Sequence, residues 1–177
     1  MKQRVLHAGC GGKHVPEQYF SDFEEVRLDI DARCNPDIVS SMVEMTAVPD
    51  ECFDAVYSSH TLEHLRTHEV RQCLYNFRRI LKPGGIAMIV VPNLENVKAT
   101  EEVLYTSISG PISGLDMIYG HHAMTPGNPY MEHHCGFIPE TLKAAMESVG
   151  FQNVETVTDD CYNLTGMANA PLENNHV

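Results

Sequence analysis

No apolar run in the 177-residue sequence is long enough to cross a lipid bilayer. The longest uninterrupted aliphatic run, Ile86 to Val91, has six residues, whereas a membrane-spanning helix needs about 20. The N-terminal segment also lacks the apolar stretch that a secretory signal requires. We therefore predict a cytoplasmic protein that does not associate with membranes.

Cysteine pairs with the CxxC spacing are absent, and basic residues are scarce. The six cysteines are scattered through a sequence that is 43% hydrophobic. A chain of this length and composition can bury a core without disulfides, so we expect free thiols. Twelve Lys and Arg stand against 24 Asp and Glu, which leaves a formal net charge of −12. Because this charge repels phosphate backbones, we predict that nucleic acid is not a partner.

Strand-like and helix-like runs alternate from the N-terminus to about residue 92, without an internal repeat or a low-complexity segment. This alternation is typical of a parallel sheet with helices on its faces. The apolar periodicity predicts strands at 4–8, 25–30, 37–40, 52–58 and 86–91, and helices at 16–23 and 67–81.

The second half of the chain is less regular. We predict a helix at 94–107, an irregular stretch at 108–138 that packs as a lid, a helix at 139–149, an antiparallel hairpin of strands 153–158 and 161–168, and a frayed tail from residue 171. We interpret the whole chain, residues 1–177, as a single domain with a lid-like insertion at about 94–138.

The first predicted strand runs directly into a glycine turn formed by Gly9, Gly11 and Gly12. Glycine adopts positive φ and leaves no Cβ between the backbone amides and a ligand. Asp29 follows Gly9 by 20 residues, at the end of the second strand, which is the offset at which an acid binds the hydroxyls of a ribose. His14 stands where a dinucleotide-binding turn has its third glycine, and no GxxxxGK[ST] loop is present. These features favour a nucleoside ligand without a phosphate chain.

Four segments resemble, in order and spacing, successive motifs of class I S-adenosylmethionine-dependent methyltransferases, and in particular the short methyltransferase type 11 group. The segments are VLHAGCGG at 5–12, LDID at 28–31, FDAVYSSHTLEHL at 53–65 and RILKPGG at 79–85. The resemblance covers about residues 4 to 158. It implies an α/β, Rossmann-like fold with a seven-stranded, mostly parallel sheet, an antiparallel last hairpin and helices on both faces. It also implies S-adenosylmethionine as the cofactor and transfer of its methyl group to oxygen or nitrogen of a small-molecule acceptor.

The same resemblance implies a cofactor site. By position in the motifs, the glycine turn would pass under the methionine part of the cofactor, Asp29 would hold the ribose, and Ile30 and Met42 would contact the adenine. Ser58 and His60 would lie near the methionine end. The implied cofactor-binding set is His7, Gly9, Cys10, Gly11, Asp29, Ile30, Met42, Ser58 and His60.

Histidines are concentrated where an acceptor would bind. Methyl transfer to oxygen is an in-line displacement, and a histidine with a near-neutral pKa can take the acceptor's proton. His134 is the first candidate for this catalytic role because its segment resembles the late histidine motif of the group, and His60 is the second. Two other interpretations stay open for the histidines at 121–122 and 133–134, namely a zinc site with neighbouring Glu132 and Cys135, or hydrogen bonds within the lid. We predict no metal.

A second function also stays open. His7 and Ser41 occupy positions that are often acidic in the family, which favours as an alternative a noncatalytic cofactor-binding or scaffold protein that retains the fold. The sequence identifies neither the acceptor, nor its attacking atom, nor the oligomeric state.

Overall fold

A seven-stranded sheet forms the centre of the protein. The structure is a computed structural model that describes residues 2–121 and 128–172. The strand order is β3-β2-β1-β4-β5-β9-β8, and a separate two-stranded sheet pairs β6 with β7. The strands are β1 (Gln3–Ala8), β2 (Phe23–Asp29), β3 (Ile38–Val39), β4 (Phe53–Ser59), β5 (Leu81–Pro92), β6 (Val103–Ser107), β7 (Gly110–Ser113), β8 (Gln152–Thr158) and β9 (Asn163–Asn169).

Strands β1 to β5 run parallel to one another, whereas β9 runs antiparallel to both β5 and β8. This arrangement confirms the predicted mostly parallel sheet with an antiparallel last hairpin. Within the described residues, four α-helices accompany the strands: α1 (Glu17–Phe20), α2 (Thr67–Ile80), α3 (Gly114–Tyr119) and α4 (Pro139–Ser148). None of the helices in the described ranges combines the length and the apolar character that a membrane span needs.

The larger core lies between one face of the sheet and the two long helices. In α2 the buried residues recur at helical spacing, so one side of the helix is apolar and rests on the strands. Helix α4 adds two fully buried side chains to the same core. The central members are Leu74 and Phe77 of α2, Leu142 and Met146 of α4, and Leu6, Val56, Ala87 and Ile89 of the sheet.

The opposite face carries a smaller core under the single-turn helix α1. Phe20 of α1 packs with Val5, Ala55 and Tyr57 of the sheet. The helix is shorter than the predicted 16–23 because Phe23 already pairs with Gln3 as the first residue of β2. Helices therefore lie on both faces as predicted, although the cover on this face is thin.

The prediction of a helix over 94–107 is wrong. Val103 to Ser107 instead forms β6, which pairs antiparallel with β7. Val103, Tyr105 and Thr106 favour a strand, and pairing with a partner a few residues away satisfies their backbone groups. The predicted irregular stretch at 108–138 contains β7, α3 and a 3₁₀ turn at Pro129–Met131, while its residues 122–127, like most of the predicted frayed tail (173–177), lie outside the described residues.

His7 and Glu25 form a polar contact on the face covered by α1. His7 Nδ1 lies 2.9 Å from one Glu25 oxygen and His14 Nδ1 lies 2.6 Å from the other, while Val15 N–H donates to the first. Burial lowers the pKa of His7 by more than Glu25 raises it. Burial also raises the pKa of Glu25, but the hydrogen bonds from His14, His7 and Val15 outweigh it and hold that pKa below its usual value.

Acidification from about pH 7.5 to about pH 5.5 is expected to destabilise the wild-type protein more than a His7→Gln variant. The folded-state pKa of His7 lies below 6.5, so the unfolded chain binds the proton first and stability is lost as the pH falls through this range. The depressed pKa of Glu25 acts at lower pH and does not contribute here. Urea denaturation midpoints at both pH values measure the difference. An unchanged pH dependence in His7→Gln would contradict the assignment.

Candidate functional site

The glycine turn after β1 is held by the end of β2. Gly9 N and Cys10 N both donate to the Leu28 carbonyl, at 2.8 and 3.1 Å. Gly9 and Gly11 have φ values of +69° and +50°, in the left-handed region where a side chain is strained. A Cβ on Gly9 would lie 2.2 Å from Thr61 Cγ2. The turn thus needs glycine at position 9 both for its backbone conformation and for the approach of Thr61.

Asp29 connects the two strand ends. Its Oδ2 accepts a hydrogen bond from Gly11 N at 2.7 Å, and its Oδ1 accepts one from Asp31 N at 2.8 Å. Arg27 donates to the Gly11 carbonyl at 2.7 Å and so holds the other side of the turn. A carboxylate oxygen has two lone pairs, so each Asp29 oxygen keeps capacity for a further donor. The sequence-predicted acid is therefore positioned against the sequence-predicted turn.

A cavity of about 380 Å³ opens at this edge of the sheet. This volume lies within the range of roughly 300–1,000 Å³ that is typical of small-molecule sites. Both predicted catalytic histidines and most of the predicted cofactor residues line it. The predicted residues in the wall are Gly9, Gly11, Asp29, Ile30, Met42, His60 and His134.

Three predicted cofactor residues are not among those that line the cavity. His7 points to the α1 face, where it contacts Glu25. Cys10 is buried in the turn, and burial raises the pKa of its thiol. Ser58 is 1% exposed, and its hydroxyl has no hydrogen-bond partner among the described residues.

Several wall residues are ones that the sequence did not identify. Thr61 and His64 follow β4, Ser40 follows β3, and Tyr130 and Met131 belong to the 3₁₀ turn of the long second-half segment. The position of Ser40 at the carboxyl end of a parallel strand is a signal that points to such a wall. The sequence has no comparable signal for Tyr130 and Met131, because their position in the cavity wall depends on how the segment after α3 folds back onto the sheet.

His60 is held in a strained backbone conformation at the mouth of the cavity. Its φ is +51°, and its N–H donates to the Val90 carbonyl at 2.8 Å. The Asn163 amide donates to Asp159, so its oxygen is left to accept from His60 Nε2 at 3.0 Å. His60 Nδ1 lies 3.6 Å from a Glu63 oxygen. Burial lowers the pKa of His60, but the interaction with Glu63 outweighs this and the net pKa is raised.

The segment that contains His134 is anchored to the 3₁₀ turn Leu62–His64, which follows β4. His134 N and Cys135 N both donate to the Glu63 carbonyl, at 2.8 and 3.2 Å. Further along, Leu94 N donates to the Phe137 carbonyl at 2.9 Å. These backbone bonds bring His134 to the cavity wall.

Glu63, His64 and His133 form a cluster beside this anchor. One potential ligand atom from each lies within 4.8 Å of the other two. Burial lowers the pKa of His133, which favours its neutral form. Burial also raises the pKa of neighbouring Cys135 to about 11, so its thiol stays protonated. The cluster has the donor types of a nitrogen and oxygen metal site, and it differs from the predicted alternative built on Glu132 and Cys135.

Comparison with known proteins is informative at the level of family and fold. A family model described as a methyltransferase domain matches residues 2–156. No curated protein matches the chain. Among solved structures, a SAM-dependent methyltransferase from Archaeoglobus fulgidus is 20% identical over 95% of this chain and 86% of its own, with a TM-score of 0.66.

Two further structures give the same result. An S-adenosylmethionine-dependent methyltransferase from Mesorhizobium loti is 18% identical over 95% of this chain and 91% of its own, with a TM-score of 0.64. The 1,6-didemethyltoxoflavin-N1-methyltransferase of Burkholderia thailandensis is 15% identical over 96% of this chain and 72% of its own, with a TM-score of 0.63. These likenesses establish the fold, and the family model covers most of the sequence. The chain therefore belongs to the methyltransferase-domain family and has the fold of the class I S-adenosylmethionine-dependent methyltransferases.

Proposed function

We propose that this methyltransferase binds S-adenosylmethionine in the cavity at the ends of β1, β2 and β4 and transfers its methyl group to oxygen or nitrogen of a small-molecule acceptor. The observation that carries the proposal is the pairing of the glycine turn with the Asp29 carboxylate at the rim of a cavity of about 380 Å³. Two carboxylate oxygens that keep free lone pairs suit the two hydroxyls of a ribose.

The residues of the cavity wall suggest where the adenine and the methionine part of the cofactor bind. Ile30 is half exposed and Met42 lies in the wall, and both offer apolar surface to the adenine. The backbone at Gly9 and Gly11 has no side chain to exclude the methionine part. The sulfonium would then lie toward the histidine end of the cavity.

The chemical step needs a nucleophile in line with the methyl group. The acceptor's oxygen or nitrogen forms a bond to the methyl carbon as the bond from carbon to sulfur breaks, and S-adenosylhomocysteine leaves as a neutral thioether. The proton of the acceptor must pass to a base, for which His134 and His60 are the candidates. Most of the rate enhancement would come from holding the reactants in line at about 3 Å.

Charge and the similar structures support this acceptor class. The net charge of −12 disfavours a nucleic-acid acceptor. The Burkholderia enzyme is named as an N1-methyltransferase, and its structure contains 1,6-didemethyltoxoflavin and S-adenosylhomocysteine. Nitrogen acceptors are therefore included beside oxygen acceptors.

The competing function is a noncatalytic protein that retains the fold. Ser41 supports it, because this cavity-wall residue carries no charge at a position where the family resemblance implies an acid. Calorimetric titration with S-adenosylmethionine and S-adenosylhomocysteine, followed by incubation of methyl-labelled cofactor with a panel of small alcohols, phenols and amines, separates the two. Label transfer to a panel member supports the enzyme. Binding without transfer favours the scaffold, and no heat with either ligand contradicts both.

Replacement of His134 by Gln is expected to lower kcat on a responding acceptor by about 100-fold or more, which is the scale of general-base catalysis. Cofactor affinity should stay within about threefold, because a glutamine keeps the size and polarity of the wall. The measurement is kcat against pH together with a cofactor titration. His68→Gln, an exposed histidine on α2 outside the cavity, is the control. If kcat is unchanged in His134→Gln and falls in His60→Gln, the base is His60.

A further inference from the structure

Glu63, in the 3₁₀ turn Leu62–His64 that follows β4, is a buried acid. The residue is 1% exposed, and neither carboxylate oxygen has a hydrogen-bond partner among the described residues. His60 Nδ1 lies 3.6 Å from one of these oxygens, which is close enough for an ion pair with a protonated imidazole but beyond hydrogen-bond distance. A buried carboxylate is costly unless it is paired, hydrogen-bonded or bound to a metal. The side chains around Glu63 therefore indicate which kind of partner stabilises its carboxylate.

Two imidazole rings lie against this carboxylate in a defined tautomer. His64 Nδ1 lies 3.0 Å from the Glu132 carbonyl, and His133 Nδ1 lies 2.9 Å from the Met117 carbonyl. A carbonyl oxygen only accepts, so each Nδ1 carries a proton, and Nε2 is the ring nitrogen that remains to bind an ion. Histidines that bind metals in proteins commonly have this backbone hydrogen bond on the nitrogen that does not bind the ion.

The distances leave room for one ion. A nitrogen from each imidazole and an oxygen of Glu63 lie within 4.8 Å of one another, and the two rings meet edge-on with centroids 5.0 Å apart. Tetrahedral zinc with ligands at about 2.0–2.2 Å separates its donors by roughly 3.4 Å. Side-chain rotations that move the donor atoms by about an ångström would close the site.

We propose that Glu63, His64 and His133 bind one divalent transition-metal ion of the zinc class. Two neutral imidazoles and one carboxylate are a ligand set that zinc uses where it keeps a coordination position open. Glu63 and His64 lie in the 3₁₀ turn Leu62–His64 that follows β4, whereas His133 belongs to the segment that follows α3. One ion would therefore join that segment to the turn beside the cavity. The proposal goes beyond methyl transfer and does not depend on it.

The test is titration of the untagged, chelator-treated full chain with ZnCl₂ alone, with MnCl₂ and MgCl₂ for comparison. We expect one zinc ion per chain with a Kd at or below about 1 μM, weaker binding of Mn²⁺, and the weakest of Mg²⁺, which prefers oxygen ligands. The amides of residues 131–135 should exchange with deuterium more slowly when zinc is bound. His133→Ala and Glu63→Gln should each weaken zinc binding by at least about 100-fold, which exceeds the usual effect of losing an outer-shell partner.

Matched variants guard against misfolding and adventitious binding. His64→Ala changes a half-buried ligand and serves if Glu63→Gln does not fold, as judged by circular dichroism. His68→Ala removes an exposed histidine of α2 outside the cluster and should leave the Kd within about twofold. Absence of saturable zinc binding, or zinc binding that the three ligand variants leave unchanged, overturns the proposal. Titration of the same samples with S-adenosylhomocysteine shows separately whether the cofactor proposal fails.

Discussion

An Asp29→Asn variant is expected to bind S-adenosylmethionine about 100-fold more weakly than the wild-type protein. The Asp29 carboxylate accepts one hydrogen bond from Gly11 N and one from Asp31 N. The side-chain amide of asparagine has one oxygen that can accept from one of these N–H groups, but its NH₂ group would face the other N–H. The glycine turn therefore loses one hydrogen bond even without the cofactor. The substitution also removes one of the two carboxylate oxygens that would accept hydrogen bonds from the ribose hydroxyls. Hydrogen bonds to charged groups are worth about 1.5–3 kcal/mol each, and about 1.4 kcal/mol corresponds to tenfold in affinity.

Isothermal titration with S-adenosylhomocysteine measures this change without an acceptor. Glu24→Gln is the matched control, because Glu24 is an exposed carboxylate on the same strand and does not line the cavity. Its affinity should stay within about twofold of the wild type, since exposed substitutions away from a site have small effects. Undiminished binding in Asp29→Asn would remove the basis for assigning the ribose to this carboxylate.

Gly9→Ala is expected to lower the free energy of unfolding by about 2–5 kcal/mol and to abolish measurable cofactor binding. The backbone at Gly9 is left-handed with φ +69°, which costs a side-chain-bearing residue about 1–2 kcal/mol. The added Cβ would also lie 2.2 Å from Thr61 Cγ2 and 2.6 Å from Thr61 Oγ1, and overpacking of this kind costs about 1–3 kcal/mol. Relief of the clash must move either the turn or the residues that follow β4, and both line the cavity.

The two neighbouring glycines provide a graded control. A Cβ on Gly11 or Gly12 would meet nothing within 4 Å, and only Gly11 has positive φ. Gly12→Ala should therefore change the free energy of unfolding by less than about 0.5 kcal/mol, and Gly11→Ala should cost about 1–2 kcal/mol. Urea denaturation followed by circular dichroism measures all three. Equal destabilisation by the three variants would contradict the role of Thr61.

Local sequence patterns were sufficient to predict the parallel half of the sheet. The 3.6-residue spacing of Leu74 and Phe77 predicted α2 because one side of that helix faces the core. The pairing of the glycine turn with Asp29 was also predictable, since both follow parallel strands and the carboxyl ends of such strands meet at one edge. The structure confirms this pairing with a bond from Gly11 N to Asp29.

The same patterns were insufficient where a contact depends on a distant partner. Residues 103–107 have no long periodicity, and only pairing with β7 makes them a strand. The side chain of His7 lies one position from the end of β1, where alternation assigns it to the α1 face. The cluster of Glu63 with His133 joins residues 70 positions apart through the backbone bonds of His134 and Cys135 to the Glu63 carbonyl.

The sequence by itself determined the family, the mostly parallel sheet with its antiparallel last hairpin, and the turn and acid of the candidate cofactor site. These follow from short-range spacing, because a strand, a glycine turn and a helix each bury or expose residues at a fixed period. Only the tertiary structure decided which histidines meet. The approach of His133 to Glu63 and of His134 to the cavity depends on where a long segment folds back onto β4. That position is set by packing and backbone hydrogen bonds between residues far apart in the chain, which no local period encodes.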